Sequence, residues 1–199
     1  MPLRAHPPAA CRRGSRPANS VSGVGYAALA PHVLAVGPLV DHSPAGRQLV
    51  LDTAYYLQAH DDNRGSRAVG EPLLDRWRTI LGPDHPDTLT AASILTLVLA
   101  QLGEAEPARA LGEDTLRRCR RLLGPDHPTT LRAAATLTGA LVGLGKAEQA
   151  RAVGEDTLQR SRRVLGSSHP VTLYLAQVAV TDHPLLDDDA AEDDPNPPR

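Results

Sequence analysis

The stretch from Leu81 to Leu122 recurs 42 residues later as Leu123 to Val164, with 28 of the 42 positions identical, and it opens a third time at Leu165. A fixed period of this length constrains the fold more than composition can. Each copy must be one supersecondary unit that cannot cover its apolar surface alone and therefore stacks on its neighbours. The copies open on LGPDHPDTL, LGPDHPTTL and LGSSHPVTL at Leu81, Leu123 and Leu165.

Apolar residues then follow helical spacing. Leu89, Ala92, Leu95, Leu99 and Leu102 recur at three and four residues, as do Leu131, Ala134, Leu137, Leu141 and Leu144, and define a helix A in each unit. After the turns at Gly103 and Gly145, a helix B carries one stripe: Ala108, Leu111, Leu116, Cys119 and Leu122, or Ala150, Val153, Leu158 and Val164. Gly82 and Gly124 sit where a helix C-terminus needs a left-handed residue, and Pro83 and Pro125 cannot continue the helix. Asp84 and Asp126 are placed to offer a carboxylate to the free amides of the next helix. A degenerate copy lies upstream, because Arg67, Ala68, Gly70, Glu71, Leu74, Arg76 and Arg78 fall on Arg109, Ala110, Gly112, Glu113, Leu116, Arg118 and Arg120. The period thus predicts a further helix pair over about 46–80, and an all-α solenoid of antiparallel helix pairs overall.

The LGPDHP turn, Leu95, Gly103, Ala108 and the Asp114-Thr115-Leu116 run, with Leu137, Gly145, Ala150 and Asp156-Thr157-Leu158 as partners, resemble the 42-residue tetratricopeptide repeat of the kinesin light chain type. That resemblance implies a right-handed superhelix that binds proteins or peptides and needs no cofactor. The Gly-Glu-Asp-Thr-Leu and Arg-Arg-(Leu or Val)-Leu-Gly phrasing is further similar to the arrays behind the nucleotide-binding module of actinobacterial signal-transduction NTPases of the NB-ARC type. Tyr26 to Ala35 resembles the segment that joins the two parts in those proteins.

The units divide the chain into a degenerate pair at 46–80, full units at 81–122 and 123–164, and a partial unit at 165–184. Thr181-Asp-His-Pro184 interrupts helix A of the partial unit where Leu99 and Leu141 stand in the others. Residues 1–23 are rich in Pro, Arg and Ser and lack an apolar run for a signal peptide or membrane span, so a disordered, cytoplasmic segment is expected. Residues 24–45 read as a linker with a short helix, and 185–199 as an acidic disordered tail. A net charge of −2 points to neither a nucleic-acid nor a membrane partner.

Several residue types suggest chemistry and have plainer explanations. His85, His127 and His169 recur at the repeat period, whereas zinc ligands converge on one point, so these histidines read as turn residues that seat the next helix. Lys146 in ALVGLGKA lacks the first Gly and the Ser or Thr of a phosphate loop. Cys119 takes the place of Trp77 and Ser161 in the sister units and reads as packing, with Cys11 too remote to pair with it in a recognisable framework. The arginines of helix B, from Arg117 to Arg121 and from Arg160 to Arg163, fit helix C-termini and one-turn pairs such as Glu113 with Arg117 and Asp156 with Arg160. No nucleophile, base and orienting group share a readable spacing, which argues against an enzyme and leaves no catalytic, cofactor or metal residue to name.

The comparison between the two full copies carries the functional expectation. Helix A differs at 90, 93, 94, 97, 98, 100 and 101, while Leu89, Leu95, Leu99 and Leu102 keep their identity one period on. In the resembled family helix A lines a concave surface that takes peptides or helices from partners. The resemblance therefore implies a contact surface of Thr90, Ser93, Ile94, Leu97 and Gln101 with Arg132, Ala135, Thr136, Gly139 and Gly143. Peptide-binding members often carry Asn where Ile94 and Thr136 stand, so the surface here is shallow and mainly apolar. The expected function is a non-catalytic interaction module, an adaptor or sensor in signalling or regulation, for a protein or peptide partner. The alternative is a truncated remnant of a larger NB-ARC and tetratricopeptide NTPase.

Overall fold

The structure, a computed structural model, describes residue 32 and residues 43–181. Within 43–181 the chain forms α1 (Pro44–Ala59), α2 (Asn63–Ile80), α3 (Pro86–Gln101), α4 (Ala105–Leu123), α5 (Pro128–Gly143), α6 (Ala147–Val164) and α7 (Pro170–Thr181), with no strand among the described residues. The expectations for 1–23, for the helix of the linker, for the break at 182–184 and for the acidic tail lie outside the described residues.

The helices alternate as A and B. The A helices α1, α3, α5 and α7 each touch the next A helix, while the described B helices α2, α4 and α6 do not touch one another. A row that is closed on one side and splayed on the other bends toward its closed side, so the A helices form the inner face of a solenoid. Each B helix lies against its own A helix and, for α2, α4 and α6 alike, against the A helix that follows. The difference in burial follows from this. In α3 ten of sixteen residues are buried, from Thr88 to Leu99, but in α4 only Ala108, Gly112, Thr115, Leu116 and Cys119 are. An A helix is covered on several sides; a B helix keeps one stripe inside.

Two apolar clusters hold the units together. Trp77, which is 0 % exposed, packs with Val50, Leu57, Leu73 and Val98 in the first, and Leu89, Leu116, Cys119, Leu137 and Leu141 form the second. Trp77, Cys119 and Ser161 are equally buried at equivalent positions, and burial pushes the Cys119 thiol up to about 11, consistent with a packing role. Leu122 and Val164 depart from the expected stripe. They are exposed at the ends of the B helices, together with Ile80 one period earlier. Close approach is set by glycine: a methyl group on Gly112 would stand 3.0 Å from Thr96 Cγ2 and 3.2 Å from Leu137 Cδ1.

The inter-unit turns use histidine as the helix cap. The imidazole Nδ1 of His85 accepts from the Asp87 amide at 3.1 Å, that of His127 from Thr129 at 3.2 Å, and that of His169 from Val171 at 3.2 Å. Proline at the first helical position completes each start. The aspartates expected to cap do not. Asp84 instead takes Arg118 and Arg121, both at 2.8 Å, and Asp126 takes Arg160 at 2.9 Å and Arg163 at 3.0 Å, tying the last turns of helix B to the turn that opens the same unit. The imidazole one residue later is nearer the free amides, which releases the carboxylate to the arginines. Gly82, Gly124 and Gly166 adopt φ of 90°, 84° and 89° at these turns, and with a ψ of 166° Gly124 occupies a region essentially closed to other residues.

Two outcomes follow for stability. Gly70→Ala, whose added carbon meets nothing closer than 3.7 Å, is expected to stabilise by about 0.5–1 kcal/mol through helix propensity, whereas Gly112→Ala is expected to cost roughly 1–3 kcal/mol through overpacking; urea melts of both variants decide this. For His169, burial and the neighbouring Arg132 cation hold the imidazole pKa below its ordinary value. A His of depressed pKa adds stability that is present above the unfolded value of about 6.5 and is lost as pH falls through it toward the folded value. The melting temperature should therefore fall between about pH 7.5 and 5.5, and fall less in His169→Asn, which caps without titrating; an equal fall in both would remove the cap from the account.

Candidate partner-binding surface

The inner face is built from one side of the A helices, and only part of the expected stripe reaches it. Ser93, Ile94, Ala135 and Thr136 are buried. Ser93 Oγ donates to the Leu89 carbonyl at 2.9 Å, Thr136 Oγ1 to that of Ala133 at 3.0 Å, and Ile94 joins the core with Val98. These residues vary between copies, yet all four are buried, so variation there does not mark free surface.

Six positions remain accessible. Gln101 and Gly143 are exposed, and Thr90, Leu97, Arg132 and Gly139 are half-buried. They recur as 90, 97 and 101 on α3 and as 132, 139 and 143 on α5, so each helix presents the same edge. Thr90 Oγ1 bonds back to the Pro86 carbonyl at 2.9 Å, and Gln101 Oε1 accepts from Gln58 Nε2 of α1 at 3.1 Å, which fixes both polar groups. Arg132 stands near His169, which caps the start of α7.

Gly139 is a seat for an aromatic ring. A Cβ built on it would lie 2.0 Å from the Tyr174 hydroxyl oxygen, so Tyr174 of α7 rests directly on the α5 backbone. Burial pushes the Tyr174 phenol up to about 12. Tyr174 takes the position of Arg132 and Thr90 one and two periods earlier, so the surface changes chemistry along the stack, from hydroxyl to guanidinium to phenol. The stripe comparison missed Tyr174 because it used the two full copies only. The available signal was the change from Leu97 to Gly139 together with the change from Arg132 to the large Tyr174 in the next unit.

Polar links join successive units. Arg47 of α1 bonds Asp87 at the start of α3 at 2.5 Å, Arg67 bonds Glu104, and Lys146 Nζ approaches Glu106 at 3.5 Å. Lys146 therefore sits at a helix–turn–helix junction and holds a carboxylate, unlike a phosphate-loop lysine, which follows a strand. On helix B, Asp156 bonds Arg160 as expected at 2.8 Å, but Glu113 bonds Arg109 at 2.8 Å, and Arg117 turns to Asp114 at 2.5 Å. Among the described residues no cluster of three His, Cys, Asp or Glu could hold a metal ion, and no helix is long and apolar enough to cross a membrane.

A stack of alternating A and B helix pairs defines a helical-repeat scaffold. The tetratricopeptide repeat profile matches residues 54–87, 88–129 and 130–171, three consecutive repeats that together cover more than half of the sequence, and the chain belongs to that family, in its kinesin light chain-like form. The match does not support the likeness to NTPase-linked arrays. No curated protein matches the sequence. Repeats of this family are protein–protein interaction modules.

The seat at Gly139 generates a double-mutant prediction. Gly139→Ala should cost roughly 1–3 kcal/mol by forcing Tyr174 off α5, and much of that cost should vanish in the Tyr174→Phe background, where the offending oxygen is gone. Chemical melts of the four proteins measure the coupling; equal costs in both backgrounds would mean the ring does not rest on Gly139.

Proposed function

We propose that this chain is a non-catalytic adaptor whose inner face receives a protein partner across α3 and α5. The supporting observation is the edge formed by Thr90, Leu97, Gln101, Arg132, Gly139 and Gly143. It repeats at the unit period, is exposed or half-buried in both copies, and differs in side-chain type from one copy to the next. Its chemistry favours a helix or domain edge packed on small and apolar groups, with Arg132 as the cationic contact. A peptide end held by side-chain amides is disfavoured, because Ile94 and Thr136 are buried and Ile94 carries no polar group. Ser93, Ala135, Ile94 and Thr136 contribute by setting the spacing of the A helices and thus the width of the face.

The test is affinity capture followed by titration of the captured partner. Leu97→Arg with Thr90→Arg should weaken binding at least about tenfold while preserving the melting temperature, and Arg151→Ala on the exposed side of α6 should leave it unchanged. Binding that ignores the A-helix changes and responds to α6 would move the site to the other face.

A further inference from the structure

Helix α7 continues the row of A helices, and α5 and α6 hold it on two sides. Tyr174 rests on Gly139 of α5, and the Thr172 hydroxyl meets that of Ser161 of α6 at 3.0 Å. Opposite the buried Leu175, a third side carries Leu173, Ala176 and Gln177, which share one face at spacings of three and four. Leu173 is 40 % exposed, whereas Leu131 and Leu89, one and two periods earlier, are 1 % and 2 % exposed. Ala176 is half-buried and Gln177 exposed, where Ala134 and Ala135, and before them Ala92 and Ser93, are buried. Nothing suits this face to water. From Pro170 to Thr181 the helix carries no charged residue, and the outermost element of a repeat stack needs a polar outer surface.

In the full units the same face is covered by the unit's own helix B and by the next A helix: Leu89 clusters with Leu116 and Cys119 of α4 and with Ala133 and Ala134 of α5. The third unit's sequence does not supply a helix B of that kind. Ala150, Val153 and Thr157, which α6 packs inward, are replaced one period later by Glu192, Pro195 and Arg199. A carboxylate, a proline and a guanidinium are each unsuited to that stripe. The turn has changed in step, because Ser168 stands where Asp84 and Asp126 hold the arginines of helix B. We propose that the face of Leu173, Ala176 and Gln177 receives a helix from a partner protein, docked as helix B docks on the full units. The interfaces already present define what fits. The occupant is an amphipathic helix like α4 and α6, which run 19 and 18 residues, with small side chains inward as Ala108, Thr115 and Cys119 or Ala150, Thr157 and Ser161, and a charged outer side. With Ser168 at the turn, it needs no arginine pair at its end. Binding extends the stack by one helix.

A fluorescein-labelled synthetic peptide with the sequence of α6, residues 147–164, is the probe, titrated against the full chain by fluorescence anisotropy. Saturable binding of one peptide per chain is expected. It should weaken at least about tenfold with Leu173→Arg or Gln177→Arg, and with Ala150→Asp in the peptide, and hold with Leu97→Arg on the inner face. Both α7 changes fall on exposed side chains, and a circular-dichroism melt of each variant reports that the stack is intact. Four results overturn the proposal. Absence of saturable binding does so directly. Binding indifferent to Leu173→Arg would mean that the peptide exchanges with the chain's own α6. Binding that appears only after Leu185 and Leu186 are changed to Ser would give the face to the chain's own following segment. A dimer in sedimentation equilibrium that Leu173→Arg dissolves and the peptide cannot enter would give it to a second copy.

Discussion

Contact between successive A helices governs this molecule. α3 is gripped by α1, α5, its own B helix α4 and the preceding B helix α2, so ten of its sixteen residues are buried and its sequence is apolar nearly all round. The B helices meet no such demand and keep the one-sided pattern of surface helices, with arginine and acidic residues outward.

Close packing of this kind requires small groups at defined places. Gly112 lets α4 settle against Thr96 and Leu137, Gly139 lets Tyr174 lie on α5, and threonines 96, 115 and 138 satisfy their buried hydroxyls on carbonyls one turn back at 2.7 to 2.9 Å. At the start of α7 the Thr172 hydroxyl reaches Ser161 at 3.0 Å; one period earlier the same column holds Thr130 and Cys119, and the Thr130 hydroxyl has no hydrogen-bond partner. Each interface is thus solved separately within a shared frame, which is why variable positions and buried positions coincide.

The inter-unit turn shows the same division of labour at shorter range. Histidine, proline and glycine each meet a local backbone requirement, namely a cap, a helix start and a positive φ. Aspartate, relieved of capping, makes the link that needs tertiary structure, to arginines 34 and 37 residues further along the chain. Such exposed pairs contribute little singly. Repeated in each full unit, they orient helix B against its own turn, and they engage Arg118, Arg121, Arg160 and Arg163 near the ends of the B helices.

The helix pairs, their order, the turns and the buried column of Trp77, Cys119 and Ser161 were legible in the 42-residue period, because local propensity and side-chain spacing act over a few residues and repeat faithfully. The surface was legible only in part. Thr90, Leu97, Gln101, Arg132, Gly139 and Gly143 could be picked out as the positions that change between copies, but so could Ser93, Ile94, Ala135 and Thr136, which face another helix. Sequence variation cannot tell solvent from a neighbour that varies in step. Which residues the A helices hide, which arginines meet Asp84 and Asp126, and that Tyr174 covers Gly139 were decided only by tertiary packing, since those contacts join residues most of a repeat unit apart.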